Sequence, residues 1–191
     1  MVGNNPNYAK IDILRCFIRF NKNLGRQQLT KELELGEGTV RTILNILKSK
    51  DLVESTKKGH FLSRKGSKEI SDVLSCMSAP KEVELQKVYP GLKKMAILMQ
   101  SIKSLDGIIK LRDIAVKNGA DGAMIFRYEN RLYVPKSNYE QDYSELDKLY
   151  EFKKDDALIL SFAASLRDCE LGAIAIAIEL SPQLKKFINE F

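Results

Sequence analysis

Over residues 8–20 apolar side chains recur at helical spacing, with Ile11, Leu14 and Ile18 on one line and Ile13 and Phe17 beside it. Arg15 and Arg19 fall between these lines, which places them on the outer side of the predicted helix. Residues 1–7 are polar and predict a frayed end. Asn21-Lys22-Asn23 supplies turn formers that end the first helix. Gly25 can open a second helix, apolar through Leu29 and Leu33. Leu35-Gly36 predicts the turn that follows, with Gly36 free to take a positive φ. A third helix over about 38–50 buries Val40, Ile43, Leu44 and Leu47 and turns Thr39, Arg41, Thr42, Asn45 and Lys48 to its other faces. Residues 52–55 and 60–63 read as two strands of a hairpin with its tip at 56–59. Helix, turn, longer helix and basic hairpin, with almost no spare residues, is the order of a winged helix-turn-helix.

A fourth helix over 67–77 carries Ile70, Val73, Leu74 and Met77, and Ser78-Ala79-Pro80 stops it. Val83, Leu85 and Val88 alternate with polar residues as a strand or an extended linker, and a domain boundary falls here, between 1–80 and 81–191. Beyond it, 95–99 is a buried strand. Residues 105–117 form a helix with Ile108, Leu111, Ile114 and Ala115 on one side, ended by Asn118-Gly119-Ala120. A hairpin pairs 123–126 with 131–134 across Glu129-Asn130. Residues 139–152 predict a short surface helix, and 157–162 another buried strand. Over 171–180 Ala and Ile alternate, which suits a strand, while the alanines suit a buried helix; we read a helix. Ser181-Pro182 is a helix start, and Leu184, Phe187, Ile188 and Phe191 give the last helix its apolar side. The fold class is therefore α+β: an N-terminal winged helix-turn-helix followed by a C-terminal α/β sandwich with a small mixed sheet.

Composition narrows the function. The 191 residues suffice for one sizeable core or two small domains, and 44% apolar with 29% charged residues is a globular balance. No run approaches the roughly 18 apolar residues of a membrane span. The first residues lack the apolar core of a secretory signal, and three cysteines without CxxC spacing fit reduced thiols, so a cytoplasmic location is expected. The net charge of +6 lies wholly in residues 1–80, with 14 Lys/Arg against 8 Asp/Glu; residues 81–191 carry 17 of each. A basic module joined to a neutral one suggests a polyanion for the first, or simply a basic soluble surface.

The side chains on the third helix are types that donate to base edges and phosphates from a major groove, although an ordinary solvated face has the same composition. The helix and turn before it favour the groove. Lys57 and Lys58 at the hairpin tip suit phosphates. His60 is the sole histidine, so it fits a hairpin or phosphate contact better than a metal site or a catalytic base.

The run ELGEGTVRTILNILKSKDLVESTKKGHFLSRKG resembles the recognition helix and wing of prokaryotic winged-helix transcription regulators. It is similar to a group of archaeal winged-helix proteins with a poorly characterised C-terminal domain. The resemblance implies that Thr39, Arg41, Thr42 and Asn45 face bases of double-stranded DNA, with Lys48, Lys57, Lys58 and His60 along the backbone. It also implies a homodimer, in which the helix after the wing either forms the seam or packs back on the first helix. The C-terminal half is similar to that group through LRDIAVKNGADGA, which implies a sensing role.

One echo bears on sensing. Leu111-Arg112-Asp113 and Leu166-Arg167-Asp168 each follow a buried strand and precede small residues. The repeat is either chance or a pocket in which Arg112, Asp113, Arg167 and Asp168 grip a small anionic effector, two guanidiniums binding it bidentately. No catalytic residue, metal site or cofactor is nominated. There is no GxxxxGK[ST], no GxGxxG after a strand, no GxSxG and no Cys/His cluster with metal spacing, and Asp155-Asp156 reads as loop charge. The expected function is a sequence-specific transcription regulator that is not an enzyme. The alternatives are a small-molecule enzyme with an accessory winged helix and a protein-binding scaffold.

Overall fold

The computed structural model describes residues 8–85, 88–137 and 143–191. They fall into two compact units, Met1–Val73 with Phe187–Phe191 and Leu74–Lys186. The expected frayed end at 1–7 lies outside the described residues.

In the first unit three helices surround one core: α1 (Lys10–Phe17), α2 (Arg26–Leu33) and α3 (Glu37–Ser49). Leu14, Phe17, Leu29, Leu33, Val40, Ile43 and Leu47 are all inaccessible to solvent. α1 is the innermost element, because every residue from Asp12 to Ile18 is buried. It therefore has no outer side for Arg15, which is 1% exposed rather than facing water as its position between apolar lines predicts. The guanidinium donates to Asp12 Oδ1 at 2.7 Å and to the Leu33 carbonyl at 3.2 Å, so a buried charge is neutralised and one orphan carbonyl at the end of α2 is satisfied. Arg19 is half-buried and pairs with Glu32 at 3.8 Å.

The turn also differs from expectation. Glu34, not Gly36, takes the left-handed conformation, at φ 53°, where α2 ends. Gly36 stays extended at φ −63° as the residue that opens α3. The left-handed step is needed to end one helix, and the glycine two residues later is spent on starting the next.

The hairpin is β1 (Val53–Thr56) and β2 (Gly59–Leu62), antiparallel, with Val53 opposite Leu62 and Thr56 opposite Gly59. Leu24 joins it as a third, one-residue strand, exchanging backbone hydrogen bonds of 2.8 and 2.9 Å with His60. Gly59 sits at φ +124°, and a Cβ there would lie 2.8 Å from the Leu24 carbonyl oxygen. α4 (Arg64–Cys76) follows at once, with Ile70 and Val73 buried. From the C-terminus, Phe187 stacks on Phe17 at 5.2 Å.

The second unit comprises β3 (Lys81–Glu82), β4 (Lys93–Met99), α5 (Ile108–Lys117), β5 (Gly122–Tyr128), β6 (Leu132–Tyr133), α6 (Ser144–Asp147), β7 (Ala157–Ala163) and α7 (Leu166–Leu180), and α8 (Pro182–Asn189) leads out of it. The sheet order is β3-β4-β7-β5-β6, and all the pairings are antiparallel among the described residues. A mixed sheet was expected because a strand, helix and strand in succession suggest neighbouring parallel strands. β4 and β5 do run the same way, but β7 inserts between them, antiparallel to both. Every residue of β7 is buried, which accounts for its unbroken apolar run. One sheet face carries α5 and α7. The other is covered by Val83, Leu85, Val88 and Leu146 packed on Ala96, Phe126, Leu158 and Leu160. α7 is a helix, buried from Cys169 to Ala177, and its small residues let it approach the sheet: a Cβ on Gly172 would lie 2.8 Å from Ser161 Oγ.

Asp156 is not loop charge. It is buried and accepts the backbone N–H groups of Ser101 and Lys153 at 3.1 and 2.8 Å, while Asp155 pairs with Arg127 at 2.6 Å. Residues 138–142, which hold the start of the helix expected over 139–152, and residues 86–87 of the expected strand or linker lie outside the described residues. No helix is long and apolar enough to cross a membrane, and no group of three or more His, Cys, Asp or Glu is placed to hold a metal, both among the described residues.

Candidate nucleic-acid interface

The helical step of roughly 100° per residue sorts the side chains of α3. Val40, Ile43, Leu44 and Leu47 form the buried arc. Arg41, Asn45 and Lys48, four and three residues apart, make one stripe on the outside; Arg41 and Asn45 are exposed and Lys48 half-buried. Thr42 lies beside this stripe, exposed, and its hydroxyl donates to the Gly38 carbonyl at 3.1 Å, which leaves its oxygen free to accept. Thr39 falls on the far flank of the exposed arc, half-buried. The five candidates therefore do not share one line. Neither Arg41 nor Asn45 has a side-chain partner among the described residues.

The wing tip projects Lys57 and Lys58, both exposed and likewise without side-chain partners among the described residues. His60 lies on β2 opposite Ser55, one pair in from the tip, half-buried, with its Nδ1 enclosed and unpartnered. Burial holds its pKa below the ordinary 6.5, and the charges of Lys48 and Arg26 push it further down. The ring is therefore neutral at pH 7. The charges of Arg26 at the start of α2 and of Lys48 on α3 thus both act on His60 on β2. Arg26 was missed in the sequence because it reads as a polar first-turn residue; only the strand-like pairing of Leu24 with His60 carries the start of α2 to the wing. α2 and α3 both open on a glycine with no side-chain cap, Gly25 and Gly36, so their first N–H groups have no side-chain acceptor there. The wing base is braced by Lys65, whose Nζ donates to the Lys50 carbonyl at 2.9 Å.

The two Arg-Asp echoes are not brought together. Arg112 and Asp113 lie in the middle of α5, exposed, whereas Arg167 and Asp168 begin α7, half-buried. α5 and α7 pack antiparallel: Lys110 pairs with Glu179 at 3.2 Å at one end, and a Cβ on Gly119 would meet Asp168 Oδ1 at 3.0 Å at the other. Arg112 and the level of Arg167 are thus separated by about two turns, roughly 10 Å along the pair. Asp168 is occupied locally, accepting from the Ser165 hydroxyl at 2.6 Å, and Ser165 in turn accepts the Asp168 N–H at 3.1 Å as the cap of α7. No two-guanidinium clamp forms.

Residues 11–68 match the family model "PH0730-like, N-terminal domain", and residues 90–180 match a domain of unknown function, DUF4443. None of the curated proteins matches the chain. Among solved structures, hypothetical protein PH0730 from Pyrococcus horikoshii OT3 is similar at a TM-score of 0.79 and 30% identity, over 94% of this chain and 99% of that one. The chain belongs to the PH0730-like family. The first match takes in α3, the wing and Arg26 whole, so the side chains of the candidate interface lie inside the shared N-terminal domain. The second begins before β4 and ends with α7, enclosing most of the antiparallel sheet and the α5–α7 pair.

Proposed function

We propose that this PH0730-like chain is a sequence-specific DNA-binding transcription regulator that inserts α3 into the major groove. The observation that carries this reading is the outer stripe of α3: Arg41 and Asn45, one turn apart, exposed and without intrachain partners among the described residues. The two are the donor types that read guanine and adenine edges bidentately. Lys48 lies one further turn along, and its charge and that of Arg26 both act on His60, which suits a phosphate contact. Lys57 and Lys58 lie along the flanking backbone. The uncapped starts of α2 and α3 offer further N–H donors to phosphate oxygens. The second unit completes a dimer or senses an effector; the separated Arg-Asp pairs give an anionic effector no joint site.

Titration of the intact protein with labelled random-sequence duplex at two salt concentrations tests for binding, and selection from the same pool then yields the preferred site. Arg41→Ala is expected to lose about 1–3 kcal/mol of discrimination at one base position while keeping most of its affinity for random duplex. Equal site preference in Arg41→Ala and the native protein counts against α3 as the reader.

His60 adds a pH signature. A phosphate beside the ring favours the imidazolium that Lys48 and Arg26 disfavour in the free protein, so binding takes up a proton. Affinity is expected to rise as pH falls from 7.5 toward 5.5, and the rise should vanish in His60→Gln. An unchanged pH profile in that variant removes His60 from the contact.

A further inference from the structure

The outer stripe of α3 begins one turn before Arg41. Glu37, the first residue of the helix, leaves the axis roughly 40° from Arg41 on one side, as Asn45 does on the other. All three are exposed. The stripe therefore runs Glu37, Arg41, Asn45, with Lys48 closing it.

An acid at the start of a helix has two ordinary roles. It complements the helix dipole, and it can pair with a cation four residues on, here Arg41. That pair does not form: neither side chain has a partner among the described residues. Glu32 on α2, by contrast, is engaged by Arg19 at 3.8 Å and by Gln28 at 2.9 Å. The dipole accounts for an acid in the first turn, but position 39, off the stripe, would serve it as well.

A carboxylate on the face that enters the groove has few matches in DNA. It has no hydrogen to donate, so phosphates, guanine O6 and N7 and thymine O4 all repel it. The donors of the major groove are the amino groups of cytosine and adenine. Adenine sets its N6 amino group beside the acceptor N7, whereas cytosine presents N4 with no acceptor beside it on the same base.

We infer that Glu37 is a specificity-determining residue of the reader, selecting cytosine by accepting from N4 and rejecting guanine and thymine by repulsion. The inference rests on α3 lying in the major groove. At about 1.5 Å per residue, Glu37 stands about 6 Å along the axis from Arg41, so the cytosine falls within roughly two base pairs of the guanine that Arg41 reads. The charge costs affinity wherever it is unmatched, and so raises specificity by weakening binding to other sequences. A phosphate at the first N–H groups of α3 is tolerated only when a base donor matches this carboxylate.

Site selection from random duplex, repeated with Glu37→Gln, Glu37→Ala and Arg41→Ala, tests it. The native protein is expected to select cytosine at this position about tenfold or more over guanine or thymine. In Glu37→Gln the preference there is expected to move to adenine, whose N6 and N7 a side-chain amide binds bidentately, and in Glu37→Ala to disappear. Both variants are expected to bind random duplex about twofold or more tighter at low salt, because a charge near the phosphates is gone. A dipole role alone lowers thermal stability and leaves the preferred base unchanged. Arg41→Ala separates this inference from the reading it rests on. If Arg41→Ala relaxes one position while neither Glu37 variant alters any, or if guanine or thymine is selected beside that position, the role of Glu37 is overturned and α3 remains the reader. If none of the three variants alters the preference, α3 leaves the groove and the inference falls with it.

Discussion

Arg15→Ala is expected to lower the stability of the N-terminal unit by about 3–5 kcal/mol, the range for breaking a buried ion pair by removing one partner. The Asp12 carboxylate is 1% exposed. It is held by the Arg15 guanidinium at 2.7 Å and by the Ala9 N–H at 3.0 Å. Without Arg15 the carboxylate stays enclosed by Ile13, Leu14 and their neighbours and loses its counter-charge. The Leu33 carbonyl loses a donor in the same substitution, at the end of α2 where no helical N–H remains to replace it. Removing both charges behaves differently. Asp12→Leu/Arg15→Leu should recover much of the loss, because a buried pair exchanged for apolar groups of similar volume is often neutral or stabilising. Urea unfolding of the native protein, the single and the double variant separates these cases. A loss below about 1 kcal/mol in Arg15→Ala places the pair among weak surface bridges and contradicts its burial.

The same residue marks how far the sequence could be read. Periodicity fixes the angle at which a side chain leaves its helix, but not which angles are covered. For α3 and the last helix one side is covered, and Val40, Ile43, Leu44 and Leu47, or Leu184, Phe187 and Ile188, are buried as their spacing predicts. For α1 nearly all sides are covered, so the rule that sends a polar residue outward fails at Arg15. The turn fails differently: glycine is the cheapest left-handed residue, yet Glu34 takes that conformation because its position at the end of α2 requires it. The strands of the second unit were legible one by one from their apolar runs. Their order was not, since nothing local to β4, α5 and β5 says that β7, some thirty residues further on, lies between them. For the candidate interface, the stripe on α3 and the lysines at the tip were readable as residue types. Arg26 was not, because its reach to His60 depends on the pairing of Leu24 with the wing. The Arg-Asp echo was legible as a repeat and misleading as a site: one copy lies in the middle of a helix and the other in the first turn of another.

Lys57→Ala/Lys58→Ala is expected to change how DNA binding depends on salt more than any other exposed pair. Each phosphate neutralised contributes about −0.9 to the slope of log affinity against log salt on duplex DNA, by counterion release. The proposed interface assigns four cations, Arg26, Lys48, Lys57 and Lys58, to phosphates, so a single reader has an expected slope of about −3.6. Raising salt fourfold then weakens native binding about 150-fold. With the two tip lysines removed the slope falls to about −1.8, and the same change in salt costs about 12-fold. The two curves converge at high salt, where electrostatic contacts contribute least, and separate at low salt. That convergence distinguishes a lost phosphate contact from damage to the fold, which weakens binding at every salt concentration alike. It also distinguishes the wing from α3: Arg41→Ala is expected to alter which sequence is preferred, while the tip variant weakens all sequences nearly equally. Parallel salt curves for the native and tip-variant proteins remove the wing from the contact. Salt-independent association of the native protein removes DNA as the partner of the basic unit altogether.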